Sequence, residues 1–272
     1  MSEIDIAIDD RAALELWAAV GELSRRLPAE WVLIGGLMVQ LHALEHGVGN
    51  VRITGDIDVL GQARPQGALA AIDAGLRDAG FELVAPDLDG YAHRYERDGL
   101  IVDVLAPDGI QPPPILRSGL KAISAPGGSQ ALARSEVVTV TVEGSSFELR
   151  RPTLLGAVLI KARSLMVHSD PESQREDLLR LLSLIEDPRE MATSLRKSER
   201  RWLRVAEQRL RLSTPSVQNA DAMRRAELAY RLLIRDLRAT ELGGAYEDAW
   251  DAWESSGDAT SWEPATDDGL AP

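Results

Sequence analysis

Cysteine is absent from the 272 residues, which excludes disulfides, thiolate-held metals and cysteine nucleophiles. Histidine is scarce, and His42, His46, His93 and His168 do not make a zinc-ligand set. Metal chemistry, if any, therefore falls to carboxylates, which favours a magnesium-type ion. No apolar run approaches the ~18 residues that a transmembrane helix needs. The first ten residues, MSEIDIAIDD, are acidic where a secretory signal would be basic and then apolar, so a cytoplasmic location is expected. Lysine is rare too. Lys121, Lys161 and Lys197 are the only three, against 27 arginines, so each one stands out.

What remains is 44% apolar and 27% charged, the composition of a globular chain with one large domain or two modest ones. The net charge of −13 is unevenly spread. Between Ser194 and Arg238 twelve basic residues face five acidic ones, whereas 244–272 holds eight acidic residues and no basic one. Affinity for phosphate follows the local patch, so the acidic total does not exclude a nucleic-acid partner.

Hydrophobic periodicity predicts a helix over 10–27, a buried strand at 31–34, Gly35-Gly36, and a second helix. A glycine-bearing loop at 47–55 leads to a strand at 56–60. Then come a helix over 66–79, strands at 81–84, 91–97 and 100–105, an irregular stretch, and a hairpin of 136–142 with 146–150. From Pro152 onward the pattern is helical, over 152–168, 174–186, 188–211 and 216–240. The expected class is α+β: a mixed-sheet domain over 1–151, a helical domain over 152–255, and an acidic tail over 256–272.

The chemistry rests on three acids. Asp56 and Asp58 are two apart on a predicted strand and share one face. Asp-x-Asp alone more often marks a solvated strand end. Asp103 changes that balance, because it lies in the apolar strand Ile101–Leu105, where an unpaired charge is costly. Three acids on neighbouring strands form an oxygen-rich cage for one or two magnesium ions. Gly35-Gly36, at a strand-to-helix junction, leaves backbone N–H groups open to a phosphate, although such junctions usually serve packing alone. Lys161 sits among apolar neighbours on a predicted helix; it suits a triphosphate as a point charge or merely snorkels. Arg52 and Thr54 orient either a phosphate or the Asp56 carboxylate, or Arg52 is a structural ion pair. His42 reads as a packed histidine.

The ordered set Gly35-Gly36, Arg52-Ile53-Thr54-Gly55-Asp56-Ile57-Asp58, Asp103, then Lys161-Ala162-Arg163 and Arg175-Glu176-Asp177-Leu178-Leu179 resembles the nucleotidyltransferase superfamily with its polymerase-beta-like core. Within it, the set is most like AbiE-type toxins of type IV toxin–antitoxin systems. The matches run from about Val32 to Leu182. The run at 175–178 reads Arg-Glu-Asp, not Arg-Asp or Lys-Asp, which leaves Glu176 and Asp177 as candidates for one role.

The resemblance implies a nucleotidyltransferase fold and transfer of a nucleoside monophosphate from an NTP, with pyrophosphate released. Asp56, Asp58 and Asp103 would hold Mg²⁺, and Asp103 would help deprotonate the acceptor. Gly35, Gly36, Arg52, Thr54 and Lys161 would bind the nucleotide, and Asp177 would orient Lys161 or the sugar. The implied acceptor is the 3′ end of a tRNA, with an antitoxin protein as partner and no membrane or DNA readout. Arg196, Lys197, Arg200, Arg201 and Arg204 offer a basic face for RNA, or an ordinary solvated helix. A small-molecule, antibiotic-type nucleotidyltransferase and a degenerate binding module are the alternatives. The tail, with Trp250, Trp253 and Trp262, either packs back, masks the basic face or docks the antitoxin.

Overall fold

The computed structural model describes residues 2–7, 10–28, 31–48, 54–62, 67–116, 118–167, 171–210 and 220–235. Arg52 and the acidic tail, with its three tryptophans, lie outside the described residues. Along the chain come strand β1 (Ser2–Ile6), helix α1 (Arg11–Arg26), β2 (Trp31–Ile34), α2 (Gly35–Glu45), β3 (Asp56–Gly61) and α3 (Ala68–Asp78). Next are β4 (Glu82–Leu83), β5 (Tyr91–Ala92), β6 (Arg94–Arg97), β7 (Leu100–Pro107) and β8 (Lys121–Ala125). A short α4 (Gly128–Ala133) precedes β9 (Ser135–Val142) and β10 (Ser145–Pro152). The remainder is helical: α5 (Leu154–Val167), α6 (Pro171–Ser183), α7 (Pro188–Thr193), α8 (Lys197–Leu210) and α9 (Ala220–Ile234). The fold is α+β, a mixed sheet flanked by helices with further helices after it. No helix among the described residues is long and apolar enough to cross a membrane.

The larger sheet has seven strands, ordered β2-β3-β7-β6-β4, with β8 beside β7 and β5 beside β8. β3 and β7 run parallel and β6 runs antiparallel to β7, so Asp58 stands opposite Asp103 and Asp103 opposite Arg94. The period of two in each strand sorts its side chains between two cores. Ile57, Val59, Val102 and Val104 are fully buried against Trp17, Val20, Ile72 and Leu76 of α1 and α3. The other parity supplies Val32, Ile34 and Leu60 to a second core with Met38 and Val39 of α2 and the apolar side chains of α5, α6, α8 and α9. Asp58 and Asp103 share this second parity, so their carboxylates lie on the face that the C-terminal helices cover.

α5 is buried on nearly every side, the pattern of a helix at the centre of a core. β1 was not expected; its Ile4 and Ile6 point inward while Glu3 and Asp5 point out, and it pairs parallel with β9. β8 and α4 arise within the stretch read as irregular. Gly127 turns the chain there at φ +86, and a Cβ on it would lie 3.1 Å from the Ile160 backbone. The helix expected over 188–211 is two helices. Glu199 accepts the Arg196 amide at 2.8 Å and so starts a new helix, instead of letting α7 continue.

Candidate active site

β3 brings Asp56 and Asp58 to the edge of a cleft, and the parallel register of β7 sets Asp103 beside Asp58. One oxygen from each of the three carboxylates lies within 4.8 Å of the others. The cleft, about 280 Å³, is lined by Gly35, Asp58 and Asp103 on the sheet side and by Lys161, Ser164 and Gln174 on the helical side. His93 and the apolar Leu105, Ile123 and Pro126 close it.

Charge in the cleft is partly compensated. Thr54 Oγ1 donates to Asp56 Oδ1 at 2.6 Å. Arg94 donates from Nε to Asp103 Oδ1 at 2.9 Å and from Nη2 to Oδ2 at 2.8 Å. Asp58 carries the residual strain: burial, then the Asp56 charge, push its carboxyl up to about 7 against the opposing pull of Lys161. An all-oxygen set with surplus negative charge fits a hard divalent cation such as Mg²⁺, which would relieve that repulsion.

The paired glycines are required by what approaches them. Gly35 opens α2 at φ +73, and a Cβ there would sit 1.7 Å from Asp58 Oδ2. A Cβ on Gly36 would sit 2.8 Å from Thr54 Cβ. Both glycines therefore let the first turn of α2 close directly onto the Asp56/Asp58 strand. The positive end of that helix faces the carboxylates, where an anion such as a phosphate is also favoured.

Lys161 is 4% exposed; its Nζ donates to Asp177 Oδ2 at 2.8 Å and to Gln174 Oε1 at 3.2 Å. This is a buried ion pair aimed at the cleft, not a snorkelling lysine. Asp177 rather than Glu176 takes the position beside Lys161: Asp177 is buried, whereas Glu176 is partly exposed. His42 is packed as read from the sequence. Its Nε2–H donates to the Pro152 carbonyl at 3.0 Å, and burial together with the Arg151 charge pushes its pKa down to about 3, which keeps it neutral.

Sequence reasoning missed Arg94 and Gln174. Arg94 carried a signal. Asp98-Gly99 is a hairpin turn between two strands, and pairing Arg97 with Leu100 across it places Arg94 opposite Asp103. Nothing in the sequence marks Gln174 beyond its spacing from Asp177.

Comparison with known proteins adds little. No family model matches the chain, and no curated protein matches it. Among solved structures it is similar to an antigenic nucleotidyltransferase-like protein from Paracoccidioides brasiliensis, with 15% identity and a TM-score of 0.46, over 77% of this chain and 92% of that one. It is also similar to ANT(2″)-Ia in complex with adenylyl-2″-tobramycin, with 17% identity and a TM-score of 0.38, over 73% of this chain and 98% of that one. Overlaps of this size carry no argument about activity, which rests on the cleft itself.

Proposed function

We propose that this protein is a Mg²⁺-dependent nucleotidyltransferase, which moves a nucleoside monophosphate from an NTP to an acceptor hydroxyl and releases pyrophosphate. The observation that carries the reading is the convergence of Asp56, Asp58 and Asp103 within 4.8 Å at a cleft that Lys161 faces. In the transfer the acceptor oxygen bonds to the α-phosphorus, the bond from that phosphorus to the bridging oxygen breaks with its electron pair on the departing pyrophosphate, and the hydroxyl proton passes to solvent water. A bound Mg²⁺ supplies neutralisation of the phosphate charge and lowers the pKa of a hydroxyl beside it.

The chain's own residues divide the remaining work. Asp56 and Asp58, on one strand, are the principal carboxylate ligands. Both Asp103 oxygens take a hydrogen bond from Arg94, so we assign Asp103 to anchoring the cation and not to removing the proton. Gly35 and Gly36 let phosphate oxygens reach the amides of α2. Lys161, steered by Asp177, balances charge on the departing pyrophosphate.

The likeness of the Gly-Gly and Arg-x-Thr-x-Asp-Ile-Asp block to AbiE-type toxins supports the 3′ end of a tRNA as acceptor and an antitoxin as partner. Incubation with each α-labelled NTP, Mg²⁺ and total tRNA tests this: label is expected on RNA and lost in Asp58→Asn. Label on an aminoglycoside- or lincosamide-type compound instead would reassign the acceptor. No transfer to any acceptor, with the protein folded, would leave a binding module.

A further inference from the structure

Helix α8 carries five basic side chains, Lys197, Arg200, Arg201, Arg204 and Arg209. Three of them are engaged by main-chain carbonyls near helix C-termini. Arg200 donates to Leu233, Arg235 and Ala192, Arg204 to Ile234, and Arg209 to Leu165. Free carbonyls and the negative end of the dipole make these good guanidinium sites, so the three arginines hold the helices together. The broad basic face read from the sequence shrinks accordingly. Lys197 and Arg201 have no hydrogen-bond or ion-pair partner among the described residues.

Both of these cations line one hollow of about 540 Å³, together with Arg163, Met166, Trp202 and Val205. The Arg163 guanidinium lies 4.8 Å above the Trp202 ring. One carboxylate stands at the rim: Asp108 Oδ2 is 3.9 Å from Arg163 Nη2, and the Gly127 and Ser129 amides, each at 3.0 Å, already bind that carboxylate. Lys197 and Ser198 belong to the first turn of α8, so the positive end of its dipole adds to the three side-chain charges.

The position matters as much as the charge. α5 separates the hollow from the catalytic cleft: Lys161, Ser164 and Val167 line the cleft, Arg163 and Met166 the hollow. An acceptor with its terminal hydroxyl at the carboxylates would have to cross α5 to enter the hollow.

We propose that this hollow binds the phosphodiester backbone of a single-stranded RNA acceptor, with Lys197, Arg201 and Arg163 on phosphates and a base against the guanidinium-capped Trp202. The proposal rests on the nucleotidyltransferase reading for the choice of polymer, and the hollow's own chemistry selects it: cations around an apolar, aromatic floor match alternating phosphates and bases. An acidic peptide without aromatic side chains would match the charge and leave the aromatic floor unused; the acidic segment 244–272, with Trp250, Trp253 and Trp262, is the competitor that the test includes.

The test is equilibrium binding, which needs no turnover. A fluorescein-labelled single-stranded oligoribonucleotide of mixed sequence is titrated with the full-length protein by anisotropy across a salt series. Lys197→Gln/Arg201→Gln is expected to weaken binding at low salt, and to reduce the slope of log K against log salt by about 1.4, since each lost phosphate contact on a single strand contributes about 0.7. Arg11→Gln/Arg25→Gln, both on α1, serves as the control for the same change in net charge. Equal affinity and slope in the double variant and the wild type would overturn the proposal, as would weakening matched by the α1 control. Tighter binding of a synthetic 244–272 peptide than of RNA, lost in the double variant, would also overturn it and give the hollow to the acidic tail. RNA bound through these residues with no NTP turnover would refute the catalytic reading and leave the hollow as a binding site.

Discussion

Arg94 grips Asp103 through a two-pronged contact, Nε to Oδ1 at 2.9 Å and Nη2 to Oδ2 at 2.8 Å, from the neighbouring strand of the same sheet. The guanidinium thus neutralises one of three crowded carboxylates and fixes the plane of its oxygens. Arg94→Gln is expected to lower the melting temperature of the metal-free protein, because charge-assisted hydrogen bonds contribute about 1.5–3 kcal/mol when both partners are held. The exposed side of Arg94 places the loss at the low end of that range. Saturating Mg²⁺ should recover most of the loss, since a cation replaces the missing positive charge. Thermal denaturation with and without Mg²⁺ measures both effects, and a loss unaffected by the ion would show that Arg94 only packs.

Asp58 provides a pH dependence with a definite sign. Its carboxyl titrates at about 7 in the metal-free fold against an ordinary value of 3.8, through burial first and the Asp56 charge second. The folded state therefore holds the extra proton between pH 4 and 7. The metal-free protein loses stability as pH rises through that window and is level above it. A cation must displace the same proton, so Mg²⁺ affinity should fall about tenfold for each pH unit below 7 and flatten above. Calorimetric titration in buffers of different ionisation enthalpy should give about half a proton released per ion at pH 7. Affinity that is flat from pH 5.5 to 8 would contradict the assignment.

The two glycines separate packing from mere turn preference. Gly35→Ala puts a Cβ 1.7 Å from Asp58 Oδ2 and forces an L side chain to φ +73. Left-handed backbone alone costs about 1–2 kcal/mol, and the clash must also displace Asp58. Gly47, just after α2 at φ +70, has nothing within 4 Å of its Cβ position. Gly35→Ala should therefore lose more than the backbone cost, and Mg²⁺ binding with it, while Gly47→Ala loses the backbone cost alone and keeps Mg²⁺ binding. Equal behaviour of the two variants in calorimetry would remove the close approach as the reason for the pair.

The elements that built the site were legible because each carries its own periodicity or chemistry. Val32–Ile34, Gly35-Gly36 and the alternating Asp56–Leu60 lie where the sequence places them, and the hairpin read at 136–142 with 146–150 forms from Ser135–Val142 and Ser145–Pro152. Asp103 announced itself as a charge in an apolar strand. The sequence was silent where a side chain's meaning depends on a distant partner. Arg200 and Arg204 read as free surface charge, yet they bind carbonyls that belong to α7 and α9. β1 is five residues long with a partner more than a hundred positions away, too short to be read without it.

Lys161 and Asp177 form a buried pair, 4% exposed each, and the two single replacements should differ from the double. Removing either partner leaves a buried charge without its main compensation, and such losses run to about 3–5 kcal/mol. Lys161→Met and Asp177→Leu are each expected to be strongly destabilised. Replacing both with apolar side chains of similar volume removes both charges, and exchanges of that kind are often neutral in stability. The double variant should thus regain most of the wild-type melting temperature. Pyrophosphate release should stay abolished in it, because the ammonium facing the cleft is gone. Recovery of turnover along with stability would reduce the pair to a structural contact, and failure of the double variant to recover stability would mean that Gln174 and the surrounding helices depend on the charges themselves.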